Sequence, residues 1–332
     1  MIEIKNKLNV SASPHVKSPK TVTGIMLDVI IALCPALFAS FFLFGPQALA
    51  VVAVCVGTCV LSEFVCRKVM KRNNTIGDLS AIVTGLLLAF NLPSTIPLWM
   101  AAVGSVVSIV VVKQFFGGIG QNFVNPALAG RIILLTSFPT AMASWTRPLS
   151  WQAEAVTTAS PLASMYDEAG KFTAENLPSL TDMLIGNRAG CLGEVCAIGL
   201  ILGGLYLVIR KVISPVIPLV YIATVGVFMT FAGGFNMEFV AYQLLSGGLL
   251  LGAIFMATDY STSPINSKGK IIFGIGCGLL TSVIRIFTPM AEGVSFAILI
   301  MNLLVSYIER LTTPKPFGTP KKEKKSKEEA KA

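Results

Sequence analysis

Hydroxyl side chains cluster in one segment that is otherwise made of small residues, Ala153 to Pro161. It contains Thr157, Thr158 and Ser160 among alanines, and Pro161 disfavours helix in the residue before it. An enzyme that esterifies a phosphate to a protein needs an exposed hydroxyl on a flexible, uncrowded backbone. The segment is therefore a candidate modification site, although residue chemistry alone fits a plain surface loop equally well.

A second polar group interrupts the apolar sequence between Gly117 and Arg131. Glycines such as Gly118 let a ligand approach the backbone closely, and Asn122 and Asn125 supply amide donors and acceptors. Arg131 follows inside an apolar run, where a charge is costly, so we expect it to pair with an anion or a carboxylate. The alternative is a tight loop with helices packed through small residues.

The third polar group runs from Met256 to Pro264 and includes Thr258, Asp259 and Ser263. Asp259 is either a helix-terminal residue in water or, given its hydroxyl-bearing neighbours, a contact for an ion or a cofactor.

Three further acids, Asp28, Glu63 and Asp78, lie within or at the ends of apolar runs. Carboxylates inside a membrane are functional candidates by default, so Asp28 and Asp78 are candidates for an ion pathway, with an interfacial position as the alternative. His15 is the only histidine, and Cys191 and Cys196 match no metal-binding spacing, so no metal site is expected. No nucleophile–base pair is apparent, and we expect no catalytic residue in the hydrolytic sense.

The elements that must position these groups are apolar helices. Of the 332 residues 54% are apolar and 13% charged, against roughly 25% charged in soluble domains. Continuous apolar runs predict an all-α polytopic membrane protein, because barrel strands alternate apolar and polar residues. About ten transmembrane helices are expected, of which 77–92 and 125–138 are short: 26–44, 47–65, 77–92, 96–116, 125–138, 193–210, 216–232, 239–258, 271–287 and 293–311.

The distribution of Lys and Arg predicts the orientation. With the N-terminus in the cytoplasm, the loop Arg67–Arg72, Lys113, the pair Arg210 and Lys211, Lys268 with Lys270, and the Lys-rich tail all fall on the same side. Both termini are then cytoplasmic and the long loop 139–192 is extracytoplasmic. The net charge of +9 belongs to these loops and the tail, so the expected surroundings are membrane lipid and no nucleic acid.

These features divide the chain into five parts. Residues 1–23 form a cytoplasmic N-terminal segment, 24–138 the first half of the bundle, 139–192 the extracytoplasmic loop, 193–311 the second half, and 312–332 a disordered basic tail. Val83–Asn91 and Leu245–Ala253 echo each other, which favours a two-fold internal repeat of undetermined symmetry.

The residues resemble a known family, the RnfD membrane proteins of the ion-translocating Rnf complex, and more distantly the B subunit of the Na⁺-translocating NADH:quinone reductase. The resemblance covers nearly all of residues 13–314. It is carried by Ser13-Pro14-His15 with Ile25–Val29, by Gly117–Arg131, by Ala257–Pro264 and by Glu292–Leu299.

The resemblance implies a covalent FMN in the hydroxyl-rich segment. In that family a flavin transferase esterifies FMN through its phosphate to the last hydroxyl of a D-x-x-[S/T]-x-A-T pattern. Here Glu154-Ala155-Val156-Thr157-Thr158-Ala159-Ser160 places the FMN on Ser160, with Glu154 in place of Asp and Ser160 in place of Thr. Thr157 and Thr158 remain alternative attachment points.

The family also implies a noncovalent riboflavin, for which the second and third polar groups are the candidate surroundings. The expected role is an electron-carrying membrane subunit of a ferredoxin:NAD⁺ oxidoreductase that translocates Na⁺ or H⁺ across the bacterial inner membrane. The expected partners are the Rnf subunits A, B, C, E and G and the flavin transferase. One alternative is a permease or channel without redox chemistry. Another is the B subunit of the quinone reductase, against which the short N-terminal region argues.

Overall fold

The computed structural model describes residues 20–149, 157–158, 160–162, 164–165, 172–173, 177–288 and 293–314. His15, Glu154, most of the predicted N-terminal segment and the tail from 315 lie outside the described residues. Helices dominate, as the composition predicts. Within those ranges a single antiparallel ladder joins β1 (Trp145–Thr146) to β2 (Thr157–Thr158), in which Trp145 faces Thr158 and Thr146 faces Thr157.

The first half of the chain provides six helices in the part that the structure describes. They are α1 (Val22–Phe44), α2 (Pro46–Val69), α3 (Ser80–Phe90), α4 (Leu98–Val106), α5 (Pro126–Ser137) and α6 (Pro139–Met142). A 3₁₀ turn at Ile76–Asp78 precedes α3, and α4 continues as a π-helical segment, Val107–Gln114.

The second half follows a short helix α7 (Leu180–Ile185). It contains α8 (Ala197–Ile209), α9 (Val216–Ala232), α10 (Met237–Leu245), α11 (Leu249–Leu251), α12 (Ser267–Phe287) and α13 (Val294–Thr312). Helix α11 continues as a second π-helical segment, Gly252–Met256.

The structure supports a polytopic membrane protein, but it supports fewer membrane-spanning helices than the ten that the sequence predicts. Every one of the ten predicted apolar runs contains a helix. Among the described residues only α1, α2, α12 and α13 are long and apolar enough to cross a bilayer, with α10 and α11 forming a fifth candidate bent by 61°. The runs expected to be short are the short helices α3 and α5. The count of ten spans and the side of each terminus stay predictions.

Local sequence explains where the interrupted helices begin and end. Asn125 caps α5 by accepting hydrogen bonds from the N–H groups of Ala127 and Leu128, and Pro126 follows at the first helical position, where no N–H is needed. The bend between α10 and α11 falls at Gly247 and Gly248, whose φ angles of 66° and 67° favour glycine.

Close packing of small residues joins the helices. Helix α1 lies against α8, α2 against α3 and α4, and α9 against α12, while α5 contacts both α3 and α13 and so links the two halves. A Cβ on Gly203 would come within 2.0 Å of the carbonyl oxygen of Ala32, so only glycine permits this approach of α8 to α1.

The internal echo has unequal structural counterparts. Val83–Asn91 lies in α3 and its C-terminal cap, whereas Leu245–Ala253 spans the bend between α10 and α11. The shared run of three leucines is helical in both, and the repeat stays a prediction.

Candidate functional site

A cleft at the start of α5 gathers residues from both predicted polar groups. Asn122, Asn125, Thr258 and Asp259 all line it, with Lys113 beside them. The space inside it amounts to about 100 Å³ within a recess that is open to solvent, and most of its lining is apolar. Small-molecule sites are typically lined by apolar side chains with a few convergent polar groups. The predicted neighbourhood of a noncovalent ligand is thus a real cavity.

Asn125 ties the cleft together from the α5 side. Besides capping α5, its Nδ2 donates to the carbonyl oxygen of Met256 at 3.3 Å, at the end of the π-helical continuation of α11. Asn302 of α13, in the amide orientation that satisfies its neighbours, accepts from the N–H of Asn125 and donates to the carbonyl oxygen of Thr262. Asn302 was not among the predicted site residues, and its only signal in the sequence is an amide inside an apolar run.

Asp259 shapes the opposite wall. Its Oδ2 accepts hydrogen bonds from Ser261 Oγ at 3.0 Å and Thr262 Oγ1 at 3.2 Å, and no side chain of the described residues donates to Oδ1. Loss of hydration raises the pKa of the Asp259 carboxyl, hydrogen bonds from Ser261 and Thr262 oppose that rise, and the positive charge of Lys113 opposes it further. Asp259 therefore keeps acceptor capacity that a ligand in the cleft can use.

Three other predicted residues lie outside the cleft lining. Arg131 is a buried residue of α5, and its Nη1 donates to Asn91 Oδ1 at 2.8 Å and Ser295 Oγ at 2.9 Å. Gly118 lies against Arg67, whose Nη2 would be 2.2 Å from a Cβ at that position. Ser263 lines a neighbouring cleft. Of the residues predicted to surround a noncovalent ligand, four therefore line one cleft and these three lie outside it.

Lys113 is a functional candidate that the sequence prediction uses only for the orientation. It lies in the π-helical segment after α4 and is only 3% exposed. Its Nζ donates to Glu63 Oε2 at 2.8 Å and to Ser80 Oγ at 2.6 Å. Its position inside the predicted apolar run 96–116 is the available signal, because a charge inside a membrane segment requires a partner.

The two ion-pathway candidates have local roles. Asp28 accepts from Tyr206 Oη at 2.9 Å and pairs with the largely exposed Arg210 at 3.3 Å. Asp78 Oδ1 accepts from the backbone N–H of Ser80 at 2.9 Å and from its hydroxyl, so it caps the start of α3. Both positions fit the interfacial alternative, and their part in an ion pathway stays a prediction.

Of the hydroxyl-rich segment, the structure describes Thr157, Thr158, Ser160 and Pro161. Ser160 is 8% exposed, which contradicts the expectation of an exposed hydroxyl, and the backbones of Thr157 and Thr158 form the ladder with β1. Leu162, two residues after Ser160, packs at the helix bend, since its Cδ1 would lie 2.3 Å from a Cβ on Gly247. Leu162 also forms an apolar cluster with Met165, Met183 and Tyr242, which keeps this part of the chain close to the helices.

Arg285 of α12 stabilises this bend. Its guanidinium donates to the carbonyl oxygens of Gln243 at 2.6 Å and Ser246 at 2.9 Å, groups at the end of α10 that have no continuing helix to bond them. Arg285 also lies beside Gly247, against which Leu162 packs. Sequence analysis does not single it out.

Fold and site together define a helical multi-pass membrane protein with a mostly apolar cavity, carrying a few polar groups, at the junction of interrupted helices. The chain belongs to the NQR2, RnfD, RnfE family, whose model matches residues 9–318. This confirms the resemblance read from the sequence.

Individual relatives match over nearly the whole chain. It is 46% identical, over 97% of its length and 99% of the relative's, to the D subunit of the Na⁺-translocating ferredoxin:NAD⁺ oxidoreductase complex of Acetobacterium woodii. It is 41% identical, over 95% and 97%, to the D subunit of the proton-translocating ferredoxin:NAD⁺ oxidoreductase complex of Clostridium ljungdahlii. It is 36% identical, over 90% and 92%, to the D subunit of the ion-translocating oxidoreductase complex of Stutzerimonas stutzeri.

Proposed function

We propose that the chain is the D subunit, a membrane component, of an ion-translocating ferredoxin:NAD⁺ oxidoreductase, working with the Rnf subunits A, B, C, E and G in the bacterial inner membrane. The full-length similarity to the D subunits of two such complexes supports this role. One relative is named for Na⁺ and the other for protons, so the transported ion of this chain is Na⁺ or H⁺. The chain acts as an electron carrier whose substrates bind to partner subunits.

The cleft holds the noncovalent flavin, a riboflavin. The observation that supports this is the convergence of Asn122, Asn125, Thr258 and Asp259 on one mostly apolar cavity. A bound flavin supplies one- and two-electron redox chemistry and adds negative charge to the cavity when it is reduced. The apolar walls would hold the ring system, and Asp259 Oδ1 and the Asn122 amide would bind its polar edge. Asn122 Nδ2 already donates to the carbonyl oxygen of Val124 at 3.0 Å, which fixes the amide in position.

The covalent FMN is attached at Ser160, on the extracytoplasmic side. The burial of Ser160 implies that the flavin transferase acts before this segment packs on the helix bend, because the transferase must reach the hydroxyl oxygen. Thr157 and Thr158 are fixed in the ladder with β1 once the segment has folded. The ester forms between the serine oxygen and the FMN phosphate. Ser160 has the required hydroxyl and occupies the last position of the family's attachment pattern.

A denaturing gel of the complex, expressed with the flavin transferase, tests the covalent site. We expect fluorescence in this chain that survives denaturation and disappears in Ser160→Ala, while Thr157→Ala and Thr158→Ala stay fluorescent. Loss in one threonine variant alone would move the attachment site. A dark wild-type band would overturn the flavin assignment and favour a permease.

Flavin retention tests the cleft. Noncovalent flavin is extracted by denaturing the purified complex and counted against the covalent flavin of the same sample. We expect Asp259→Ala and Asn122→Ala to lose noncovalent flavin while the covalent flavin is unchanged. The matched control is Asn236→Ala, which alters an N-cap of α10 outside the cleft. Retention of the noncovalent flavin in both cleft variants would refute this assignment.

A further inference from the structure

A buried ion pair stands beside the cleft and has no part in the functions described so far. Glu63 of α2 is 0% exposed, and its Oε2 lies 2.8 Å from Lys113 Nζ. Its other oxygen, Oε1, accepts from Thr75 Oγ1 at 2.7 Å. A buried ion pair is not in itself a source of stability, because removing both charges from water costs about as much as their attraction returns. The pair therefore invites a functional explanation.

Lys113 belongs to the ion pair and to the cleft at the same time. Its ammonium has three N–H donors, of which the described residues accept two, Glu63 Oε2 and Ser80 Oγ. The same side chain lines the cleft, together with Ser80 and Asp259. A lysine is a compact charge on a flexible four-carbon stem, so its ammonium can move between two neighbouring anions.

Negative charge in the cleft would compete with Glu63 for this ammonium. Both anions would lie in a largely apolar setting, where charges are weakly screened and the nearer or stronger anion decides the position of the cation. That the cleft becomes negative rests on the proposed function, in which a flavin bound there is reduced.

We propose that Lys113 couples charge in the cleft to cation uptake: its ammonium leaves Glu63 for the cleft when the cleft becomes negative, and Na⁺ or a proton replaces it on Glu63. One positive charge moves to the cleft and one enters from solvent, so the buried carboxylate is neutralised at every stage.

The surroundings of Glu63 suit a small monovalent cation. Glu63 Oε2 and Ser80 Oγ contact the ammonium, Thr75 Oγ1 binds the other carboxylate oxygen, and hard cations prefer such oxygen ligands. Thr75 is half-buried on the loop between α2 and α3, next to the exposed Asn74. Through Thr75 the Glu63 carboxylate is therefore linked to a loop that reaches solvent. Ser80 Oγ is held in place by its hydrogen bond to Asp78.

Direct cation binding to the purified, intact complex tests the proposal. Binding of ²²Na⁺ is measured in detergent before and after reduction with dithionite, and proton uptake is followed in parallel with a pH indicator. For the wild type we expect tight binding, or proton uptake, only after reduction, with the dissociation constant falling at least about tenfold. In Lys113→Met we expect one cation, Na⁺ or H⁺, to be held already in the oxidised complex. The double variant Glu63→Gln, Lys113→Met should hold none at this site.

Controls separate the role of Lys113 from folding and from the proposed function. Assembly of each variant is checked by size-exclusion chromatography. Lys113→Arg keeps the positive charge on a bulkier group, and we expect it to bind less additional cation than the wild type when the complex is reduced. Reduction-dependent cation binding in Lys113→Met equal to that of the wild type would overturn the coupling role while leaving the flavin assignment intact. A wild-type complex without noncovalent flavin would instead overturn the proposed function.

Discussion

The bend between α10 and α11 depends on Arg285, and the structure gives the size of that dependence. In Arg285→Met an unbranched apolar side chain replaces the arginine, which removes the four hydrogen bonds that the guanidinium donates to Gln243, Ser246 and Gly247. A hydrogen bond to a charged group contributes about 1.5–3 kcal/mol, so the two shortest, to the carbonyl oxygens of Gln243 and Ser246, give about 3–6 kcal/mol. The gain from no longer burying a charge offsets part of this, and we expect a net loss of about 2–4 kcal/mol in the free energy of unfolding.

Denaturing-detergent titration of the purified complex, followed by circular dichroism, measures this loss. The matched control is Arg210→Met, which removes another arginine that is largely exposed and pairs with Asp28. Exposed ion pairs contribute about 0–1 kcal/mol, so the control should change stability little. A loss below about 1 kcal/mol in Arg285→Met, or equal losses in both variants, would refute the reasoning that Arg285 stabilises the bend by capping α10.

Three further predictions concern the bend, the ion pair and Asp259. Gly247→Ala should destabilise by at least about 1–3 kcal/mol in the same titration, because φ is 66° and the new Cβ would lie 2.3 Å from Leu162 Cδ1; an unchanged titration would refute this packing. Glu63→Gln should lower the free energy of unfolding by about 3–5 kcal/mol, because it leaves the Lys113 ammonium without its carboxylate partner. Combining Glu63→Gln with Lys113→Met should recover most of that loss. Additive losses from the two substitutions would contradict a direct pair. Burial raises the pKa of Asp259, so between its ordinary and its raised pKa the folded state binds more protons than the unfolded state. The free energy of unfolding should therefore fall as pH rises through that window. Asp259→Asn should flatten this slope, and an unaltered slope would refute the role of Asp259 in it.

The sequence predicted the elements better than their extents. Continuous apolar runs identify buried helices because lipid and protein interior both exclude water, so the ten runs each contain a helix. Run length could not distinguish a full span from a half-length helix, because apolar loop residues extend the run. The run 77–92 shows this, since its α-helix covers only Ser80–Phe90. In the run 96–116 periodicity also gives no sign of the change from α4 to the π-helical segment.

The candidate site was predictable where residue chemistry is local. Asn125 and Asp259 were identified because amides and carboxylates are rare in apolar surroundings, and the structure places both on one cleft. Lys113 was not identified as a site residue because the sequence prediction used it only to count positive charges for the orientation. The burial of Ser160 was missed because it depends on Leu162 reaching an apolar cluster with Tyr242, 80 positions further along the chain. Contacts of that range are set by tertiary packing, which a single sequence does not display.

The electrostatics of the cleft follow from helix ends. Helix α5 begins at Asn125 and the π-helical continuation of α11 ends at Met256, and the bond from Asn125 Nδ2 to the Met256 carbonyl oxygen brings these two ends together. A helix start carries partial positive charge from unpaired N–H groups, and a helix end carries partial negative charge from unpaired carbonyl groups. These helix-end groups pair with Asn125, and the cleft beside this junction presents the Asn122 amide as a donor and Asp259 Oδ1 as an acceptor on a mostly apolar wall. That combination suits a planar apolar ring whose edge carries both kinds of group, as a flavin does. It suits a simple anion or cation poorly, and this distinguishes the cleft from the monovalent-cation position at Glu63.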